Sequence, residues 1–456
     1  MQDGPVLSPV VRTERISAVD TVRGVALLGI LLINIVSFAL PADAYDDPSI
    51  AGGATGINLA TWTINYVLFE GKMRALFSML FGAGVVLLSS RLEQRDPTAA
   101  VADIYYRRVL WLLAFGLVHA YFFWEGDILY FYAVSGLILF PFRKLKPKAL
   151  VLTGVLVLAV LIPKNLREAR GDRLLYDKAA IADAAAAAGE TLTEGQRDAQ
   201  KEWANRLKNW KPSAIQIEKE IAIHRGGYWN LFRERMNWVS HAESVLFYRS
   251  LFFDTAGMML LGMGLLRLGF FSATRSYREY ALIALAGYAV GISINSYVAY
   301  CDIRSHFEVV PSLFRWTPYG VLKWAGYDVQ RLAVALAHAS VILMICKAGL
   351  FRWLTARLAA VGQMALTNYL SDTLVCTTLF NGYGFGLFGQ WQRYQIYWVV
   401  LAIWIFQLAV SEPWLRHFRF GPAEWLWRSL TYWKPQPMRL VHPVPSVGET
   451  VVSGGG

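Results

Sequence analysis

Long apolar runs alternate along the chain with shorter polar segments that are rich in charge, glycine or proline. About ten of these runs are long enough to cross, as helices, the roughly 30 Å hydrocarbon core of a membrane. They lie near residues 22–40, 72–90, 105–124, 127–143, 148–164, 246–266, 279–300, 329–349, 357–380 and 394–413. The pattern therefore predicts an all-α fold, a polytopic membrane helix bundle of about ten transmembrane helices.

The short segments that join these runs alternate between basic and non-basic. Arg12 and Arg15 precede the first run, and Lys and Arg residues cluster after the second, fourth, sixth, eighth and tenth runs. The intervening segments 41–58 and 380–390 contain no Lys or Arg. Because short basic loops tend to stay in the cytoplasm, both termini are predicted to be cytoplasmic.

Residues 165–244 interrupt this alternation because they are too polar to span a membrane. Their helical patterns, with a capping signal at Thr191 and Glu194, predict an extracytoplasmic helical cap. The expected domains are an N-terminal five-helix membrane half (1–164), the cap (165–244), a C-terminal five-helix membrane half (245–415) and a cytoplasmic tail (416–456). Two halves of five helices would have opposite orientations, as in transporters that are built from inverted repeats.

The composition supports a membrane protein and argues against several other classes. Hydrophobic residues make up 55% of the chain and charged residues 17%, which is too apolar for a soluble protein of 456 residues. The net charge of +11 is spread over short loops, which favours contact with membrane lipids and argues against nucleic-acid binding. The three cysteines, Cys301, Cys346 and Cys376, form no Cys-x-x-Cys pair, and we expect no metal site.

Ionisable residues inside the apolar runs are candidates for function, because each costs free energy in hydrocarbon unless it is paired. The segment LVHAYFFWEGD places His119 near the end of one predicted helix and Asp127 at the start of the next. The tight turn between these antiparallel helices brings the two residues together. The carboxylate could fix the tautomer of the imidazole and raise its basicity, as a general base requires. The structural alternative is an interhelical hydrogen bond from His119 and a helix cap by Asp127.

Two further groups of polar residues are predicted to face the interior of the bundle. Asp20 and Arg23 share a face at the start of the first helix, where Arg23 could bind the phosphates of a cytoplasmic ligand such as CoA. The other candidates for a polar cavity are Asn34, Glu70, Arg74, Arg249, Asp254, Asn368 and Asp372. Arg74 is expected to pair with Asp127 or Glu70, which lie at the same level. Such buried pairs could equally be architectural.

Several segments, taken in order, resemble a known family. They are RISAVDTVRGVALLGILLIN (15–34), FSMLFGAG (77–84), FGLVHAYFFWEGDILYFYAVSGL (115–137), LAAVGQMALTNYLSDT (358–373) and FRFGPAEWLWRSLTY (418–432). Together they look like the YeiB-type family, whose members are bacterial polytopic inner-membrane proteins with a domain of unknown function. The resemblance implies a multi-pass protein of the bacterial inner (plasma) membrane.

The segment VDTVRGVALLGILLIN is also similar to heparan-alpha-glucosaminide N-acetyltransferase and, more loosely, to bacterial transmembrane acyltransferases. Those enzymes transfer an acyl group from cytoplasmic acyl-CoA across the membrane, so the resemblance implies acyl-CoA as donor substrate and a small-molecule or glycan acceptor. In the acetyltransferase the catalytic histidine follows the first helix, and in the bacterial relatives a histidine closes the equivalent helix, whereas residues 34–58 here contain no histidine. His119 and Asp127 are therefore our candidates for the base and the group that orients it.

Two functions remain open from the sequence. The first is a transmembrane acyltransferase that moves an acyl group from cytoplasmic acyl-CoA to an extracytoplasmic or membrane acceptor. The second is a small-molecule or lipid transporter with a polar intramembrane cavity. Both would contact membrane lipids, and the sequence leaves open whether the chain acts as a homodimer.

The predicted orientation places the cap and the C-terminal tail on opposite sides of the membrane. Reporter domains fused after Trp210 and after Leu440 should therefore differ in their accessibility to a membrane-impermeant reagent. A fusion after Arg95, in a predicted cytoplasmic loop, should behave like the fusion after Leu440. Equal accessibility of the Trp210 and Leu440 fusions would contradict the topology.

Overall fold

The computed structural model describes residues 17–95, 101–313 and 317–440 of the chain. Within those ranges the chain is helical and contains no strand, only an isolated bridge between Phe418 and Arg439. Arg12 and Arg15, which support the predicted orientation, lie outside the described residues. The prediction of an all-α fold is confirmed.

Helices follow one another along the described part of the chain. The first part contains α1 (Ser17–Ala39), α2 (Gly56–Leu68), α3 (Lys72–Arg95), α4 (Val101–Phe122), α5 (Leu129–Leu139) and α6 (Pro147–Ala159). The predicted cap contains α7 (Leu161–Ala187), α8 (Glu194–Trp210), α9 (Ala214–His224) and α10 (Tyr228–His241). A π-helical segment (Ala242–Leu251) then leads into α11 (Phe252–Arg267), α12 (Tyr277–Arg304), α13 (Pro318–Trp324), α14 (Tyr327–Ala348), α15 (Arg352–Gln363), α16 (Ala365–Phe380), α17 (Arg393–His417) and α18 (Pro422–Tyr432).

Hydrogen bonds to side chains mark the start of two of the four helices in the predicted extracytoplasmic cap, α8 and α9. The Thr193 hydroxyl accepts a hydrogen bond from the backbone N–H of Gln196 at 3.3 Å, and Ser213 caps α9 in the same way. The sequence predicts Thr191 as the N-terminal capping residue of α8, which is wrong by two residues. Thr193 supplies the extended backbone and the hydroxyl that a capping box needs.

Among the described residues, seven helical stretches are long and apolar enough to cross a membrane, judged by length and composition. They are Ser17–Ala39, Gly56–Gln94, Pro147–Ala187, Tyr228–Arg267, Tyr277–Arg304, Tyr327–Ala348 and Arg393–His417. Of the other predicted spans, α4 carries Arg107 and Arg108, and α5 has 11 residues, about half the length that a span needs. The seven stretches support a membrane protein, and the count of ten stays a prediction.

The predicted span at 357–380 is wrong as a single helix. The chain turns at Met364, where α15 ends and α16 begins. The carboxylate of Glu424 in α18 accepts hydrogen bonds from the backbone N–H groups of Leu366 (2.6 Å) and Thr367 (3.1 Å). First-turn N–H groups have no partner within their own helix, so Glu424 stabilises the new helix start.

Glycines allow the central helices to approach each other closely. A Cβ on Gly82 of α3 would lie 2.0 Å from the carbonyl oxygen of Met259 in α11. Conversely, a Cβ on Gly262 of α11 would lie 1.8 Å from the carbonyl oxygen of Met79 in α3. Gly24 of α1 faces α15 in the same manner. These contacts join α3 to α11 and α1 to α15.

The cap closes over one end of the bundle through α9. Glu220 accepts a hydrogen bond from the backbone N–H of Ala42 at 2.8 Å, and Arg225 donates to the Phe388 carbonyl at 2.7 Å. The His224 ring stacks on Phe388 with the centroids 3.9 Å apart. Burial raises the pKa of Glu220 and lowers that of His224. The cap therefore lies at the same end as both non-basic segments, as the predicted topology requires.

Replacing Gly82 with alanine should destabilise the protein, because the added Cβ would collide with the Met259 carbonyl. We expect a loss on the order of 1–3 kcal/mol, measured by unfolding of the purified protein in detergent. Gly84→Ala is the matched control on α3, because a Cβ there meets nothing within 4 Å. Equal losses in the two variants would contradict the close packing of α3 on α11.

Candidate functional site

A cavity of about 260 Å³ lies between α1, α3, α4, α5, the α15–α16 junction and α18. Its charged lining residues are Asp20, Arg23, Arg91, Arg108, Glu424 and Arg428. Apolar residues, among them Phe77, Leu80, Phe81, Leu112 and Leu129, line the rest together with Tyr132. Along α3 the lining extends from Phe77 to Arg91, which is about 21 Å of helix.

The charged residues form one end of the cavity, here called the basic mouth, where α1 and α4 begin and α3 ends. Arg23 donates to Asp20 at 2.7 Å, and the Arg108 guanidinium lies 3.6 Å from the ring centroid of Trp427. Burial raises the pKa of Glu424. With four arginines against two carboxylates, the mouth suits an anionic group such as a phosphate.

The other end of the cavity is apolar and ends at Phe77, Leu129 and Tyr132. The Tyr132 hydroxyl donates to the backbone carbonyl of Arg74 at 3.3 Å. Phe77 follows Arg74 by three residues, and Leu129 follows Asp127 by two. This deep end therefore lies close to both of the charged clusters described next.

The first cluster joins His119 directly to Asp127. Nδ1 of His119 is 2.7 Å from Asp127 Oδ1, and Nε2 is 2.9 Å from the Thr373 hydroxyl. The second oxygen of Asp127 accepts the Tyr130 N–H at 2.8 Å and so caps α5. His119 and Asp127 are 3% and 4% exposed. The carboxylate therefore contacts the imidazole, as the sequence predicts, and also serves as a helix cap.

The second cluster is an ion network between α3, α11 and α14. Asp254 accepts hydrogen bonds from both Arg74 and Arg331. Arg331 also donates to Asp328 at 2.6 Å. The network has two guanidinium groups and two carboxylates, so its charges cancel, which reduces the cost of burying it.

The predicted partners of Arg74 are wrong. Arg74 pairs with Asp254, because α3 packs against α11. Asp127 contacts His119 instead, and Glu70 accepts a hydrogen bond from the Tyr327 hydroxyl at 3.0 Å. Sequence spacing alone does not reveal which helices become neighbours.

Two other predicted cavity residues lie away from both clusters. Arg249 pairs with Glu168 of α7 at 2.6 Å and keeps 58% of its side chain exposed. Asn34 is half-buried in α1, and the lining of the cavity does not include it. Arg249 belongs to the π-helical segment and contacts α7, so it does not join the ion network of Asp254.

Asn368 and Asp372 connect α16 to α17. The Asn368 amide donates to the Ser411 hydroxyl at 3.3 Å, and the Gln407 amide donates to Asp372 at 2.5 Å. The lining of the cavity includes neither Asn368 nor Asp372. Their contacts are interhelical hydrogen bonds, as is common for polar residues in apolar helices.

Sequence reasoning missed Arg331, Thr373 and the contribution of Arg108. The spacing of Asp328 and Arg331 was a usable signal, because residues three apart share a helix face. Arg108 belongs to a basic segment that the predicted membrane orientation already accounts for. A single threonine such as Thr373 does not indicate a contact with His119. In the described part of the chain, no group of three or more His, Cys, Asp or Glu residues is arranged to hold a metal ion.

Comparison with known proteins decides the family. The chain is 32% identical over 429 residues to "Uncharacterized protein YeiB" of Escherichia coli (strain K12). The match covers 92% of this chain and 96% of that protein. The chain belongs to the YeiB family.

Further matches extend along nearly the whole length of this YeiB family member. It is 29% identical over 449 residues to "Uncharacterized protein YxaH" of Bacillus subtilis (strain 168), covering 95% of this chain and 98% of that protein. Residues 265–434 match the family described as "Protein of unknown function (DUF418)". No solved structure matches the chain. None of these matches bears on the resemblance to acyltransferases, which stays a prediction.

Asp254→Asn should strongly destabilise this YeiB family protein, because it leaves the buried Arg331 and the half-buried Arg74 with too little negative charge. We expect a loss of about 3–5 kcal/mol in unfolding experiments in detergent. The control is Arg249→Gln, which removes an exposed ion pair and should cost about 0–1 kcal/mol. If the two variants lose equal stability, the ion network does not hold the bundle together.

Proposed function

We propose that this YeiB family protein is a transmembrane acyltransferase. It would take an acyl group from acyl-CoA at the basic mouth and transfer it to an acceptor at the end of the bundle that the cap covers. The supporting observation is the cavity, which is positively charged at one end, apolar along its length, and ends beside the His119–Asp127 pair.

The shape of the cavity suits a CoA thioester better than a compact solute. CoA carries phosphates at one end of a long arm and the thioester at the other. The phosphates would bind arginines such as Arg23 and Arg108, and the arm would extend along α3 toward Tyr132. Because Phe77 and Leu129 close the deep end, we expect a short acyl group.

His119 would act as the general base toward a hydroxyl or amino group of the acceptor. When Nδ1–H donates to Asp127, Nε2 carries the lone pair that takes the proton. The acceptor oxygen or nitrogen then attacks the thioester carbonyl carbon, the C–S bond breaks, and CoA leaves as a thiolate that takes up a proton. Asp127 would stabilise the imidazolium that forms.

Two side chains near the His119–Asp127 pair restrict how the two substrates can reach it. The Thr373 hydroxyl lies 2.9 Å from Nε2 and occupies the direction from which an acceptor hydroxyl would approach. The cavity lining includes Leu129 but does not include His119. The thioester would therefore have to pass the Leu129 side chain to reach the acceptor.

A transporter is the second candidate function, and the ion network is the observation in its favour. Ionisable residues within membrane helices commonly line the pathways of ions or solutes. Arg74, Asp254 and Arg331 form such a group between three helices. In this alternative, a solute would cross the membrane with no cleavage of a thioester.

The test uses the purified full-length protein in liposomes, acetyl-CoA labelled in its acetyl group, and a bacterial membrane extract that supplies acceptors. We expect transfer of the label, and His119→Gln should lower the rate about 100- to 10,000-fold, the usual contribution of a general base. Binding of CoA should be unchanged in His119→Gln, because this residue lies outside the cavity lining.

His338→Gln is the matched control for the histidine substitution. The His338 ring is held by the Tyr288 hydroxyl at 2.8 Å and the Leu68 carbonyl at 2.9 Å, away from the cavity. This variant should keep the transfer rate. Undiminished transfer in His119→Gln would remove the proposed base, and solute flux without any transfer would support the transporter.

A further inference from the structure

His119 contacts a hydroxyl group as well as the Asp127 carboxylate. Its Nδ1 is 2.7 Å from Asp127 Oδ1, and its Nε2 is 2.9 Å from the Thr373 hydroxyl. A carboxylate, an imidazole and a hydroxyl joined in this order form the arrangement in which a histidine activates a hydroxyl nucleophile. The contacts of His119 therefore give the Thr373 oxygen the position of a nucleophile.

The Asp127 carboxylate is held in place and so fixes the orientation of the imidazole. Its second oxygen accepts the Tyr130 N–H at 2.8 Å, which ties the carboxylate to the start of α5. With Nδ1–H donating to Asp127, the lone pair of Nε2 is directed at the Thr373 hydroxyl. The hydroxyl oxygen lies farther, at 3.4 Å, from the Tyr369 carbonyl oxygen of its own helix. The shorter contact, with Nε2, is the one that suits transfer of the hydroxyl proton to His119.

Burial of the three groups suits a covalent intermediate. Thr373 is fully buried, and His119 and Asp127 are nearly so. A site that excludes water protects a reactive ester from hydrolysis, which is the competing reaction. An ester of Thr373 would therefore persist until an acceptor arrives.

Thr373 lies on the same face of α16 as a residue of the cavity lining. Leu366 lines the cavity, and positions 366, 369 and 373 have the spacing of one helical face. Leu366 and Thr373 are two turns apart, about 10 Å along the helix. Tyr369 lies between them, and its ring centroid is 5.2 Å from that of His119. A thioester that advances from the cavity along this face would meet the Tyr369 side chain and then Thr373.

The Tyr369 hydroxyl offers a hydrogen bond that the protein itself does not use. It is buried and makes no hydrogen bond of good geometry within the described ranges. Buried hydroxyl groups nearly always have a partner, so a ligand oxygen is expected near it. A carbonyl oxygen that gains negative charge during acyl transfer is an acceptor of the required kind.

We propose that Thr373 is a covalent nucleophile that carries the acyl group as an ester between donor and acceptor. The inference rests on the proposed function, which supplies the thioester, and it replaces direct transfer with two steps. It also accounts for the position of the Thr373 hydroxyl, in the direction from which an acceptor would otherwise approach His119.

Both steps use His119 to move a proton. In the first, Thr373 Oγ1 attacks the thioester carbonyl carbon while His119 Nε2 takes the hydroxyl proton. The C–S bond breaks, and His119 returns the proton to the sulfur, so CoA leaves as the thiol. In the second, the acceptor hydroxyl or amine attacks the ester carbonyl carbon and gives its proton to His119. The C–O bond to Thr373 breaks, and His119 returns the proton to Oγ1.

The test uses the full-length protein in liposomes with acetyl-CoA and no acceptor. Labelled CoA should then exchange into acetyl-CoA, because an acetylated threonine can return its acetyl group to free CoA. After rapid denaturation, mass spectrometry of peptides should find one acetyl group on Thr373. This measurement uses the unmodified protein and does not depend on the folding of any variant.

Thr373→Val keeps the branched shape of the side chain and removes the hydroxyl. Exchange should fall about 1,000-fold or more, and the acetyl group should disappear. Thr373→Ser keeps a hydroxyl and should retain both. Thr377→Val is the matched control one turn farther along α16, because the buried Thr377 hydroxyl donates to the Leu374 carbonyl at 3.5 Å. This control should exchange CoA as the unmodified protein does.

Acetyl transfer to an acceptor that Thr373→Val does not slow would overturn the inference, and so would an acetyl group found on another residue instead. Transfer with neither exchange nor an acetylated Thr373 would retain the enzyme and reject the intermediate. Acetylated Thr373 without transfer to any acceptor would retain the nucleophile and reject the acceptor step of the proposed function. Absence of both exchange and transfer would reject both proposals.

Discussion

The Asp254 carboxylate accepts hydrogen bonds from the guanidinium groups of both Arg74 and Arg331, and these bonds join α3, α11 and α14. A buried charge that loses its partner costs far more than an exposed one, so α3, α11 and α14 are held at fixed positions at this level. α3 also forms one wall of the cavity from Phe77 to Arg91. The ion network therefore fixes the wall that a ligand would contact.

The glycine contacts show how α3 and α11 are oriented. Arg74 meets Asp254 near the start of both helices, and farther along both helices the backbone of Gly82 approaches Met259. The two helices therefore run in the same direction. The topology predicted from basic loops also gives these helices the same direction, because each begins at the end of the bundle that faces away from the basic segments.

The parts of the structure that the sequence predicts are those that depend on residues close in the chain. His119 and Asp127 are eight residues apart and separated by a tight turn, so their contact follows from local geometry. Arg74 and Asp254 are 180 residues apart, and their pairing depends on which helices become neighbours. The break at Met364 likewise depends on a carboxylate from α18. The length of an apolar run predicts a helix. It does not predict which residues from a distant part of the chain will contact that helix.

The position of the buried contacts bears on the choice between the two functions. An inverted-repeat transporter alternates its access by rocking one half of the bundle against the other. Here Arg74 belongs to the predicted N-terminal half and Asp254 to the predicted C-terminal half, so rocking would break the ion pair of the buried Asp254 carboxylate with Arg74. The contacts of Gly82 with Met259 and of Gly24 with α15 also join the two halves. A bundle whose predicted halves are joined by this ion pair and by close backbone contacts suits a fixed catalytic site, to which substrates come from opposite ends, better than a pathway that opens alternately to each side.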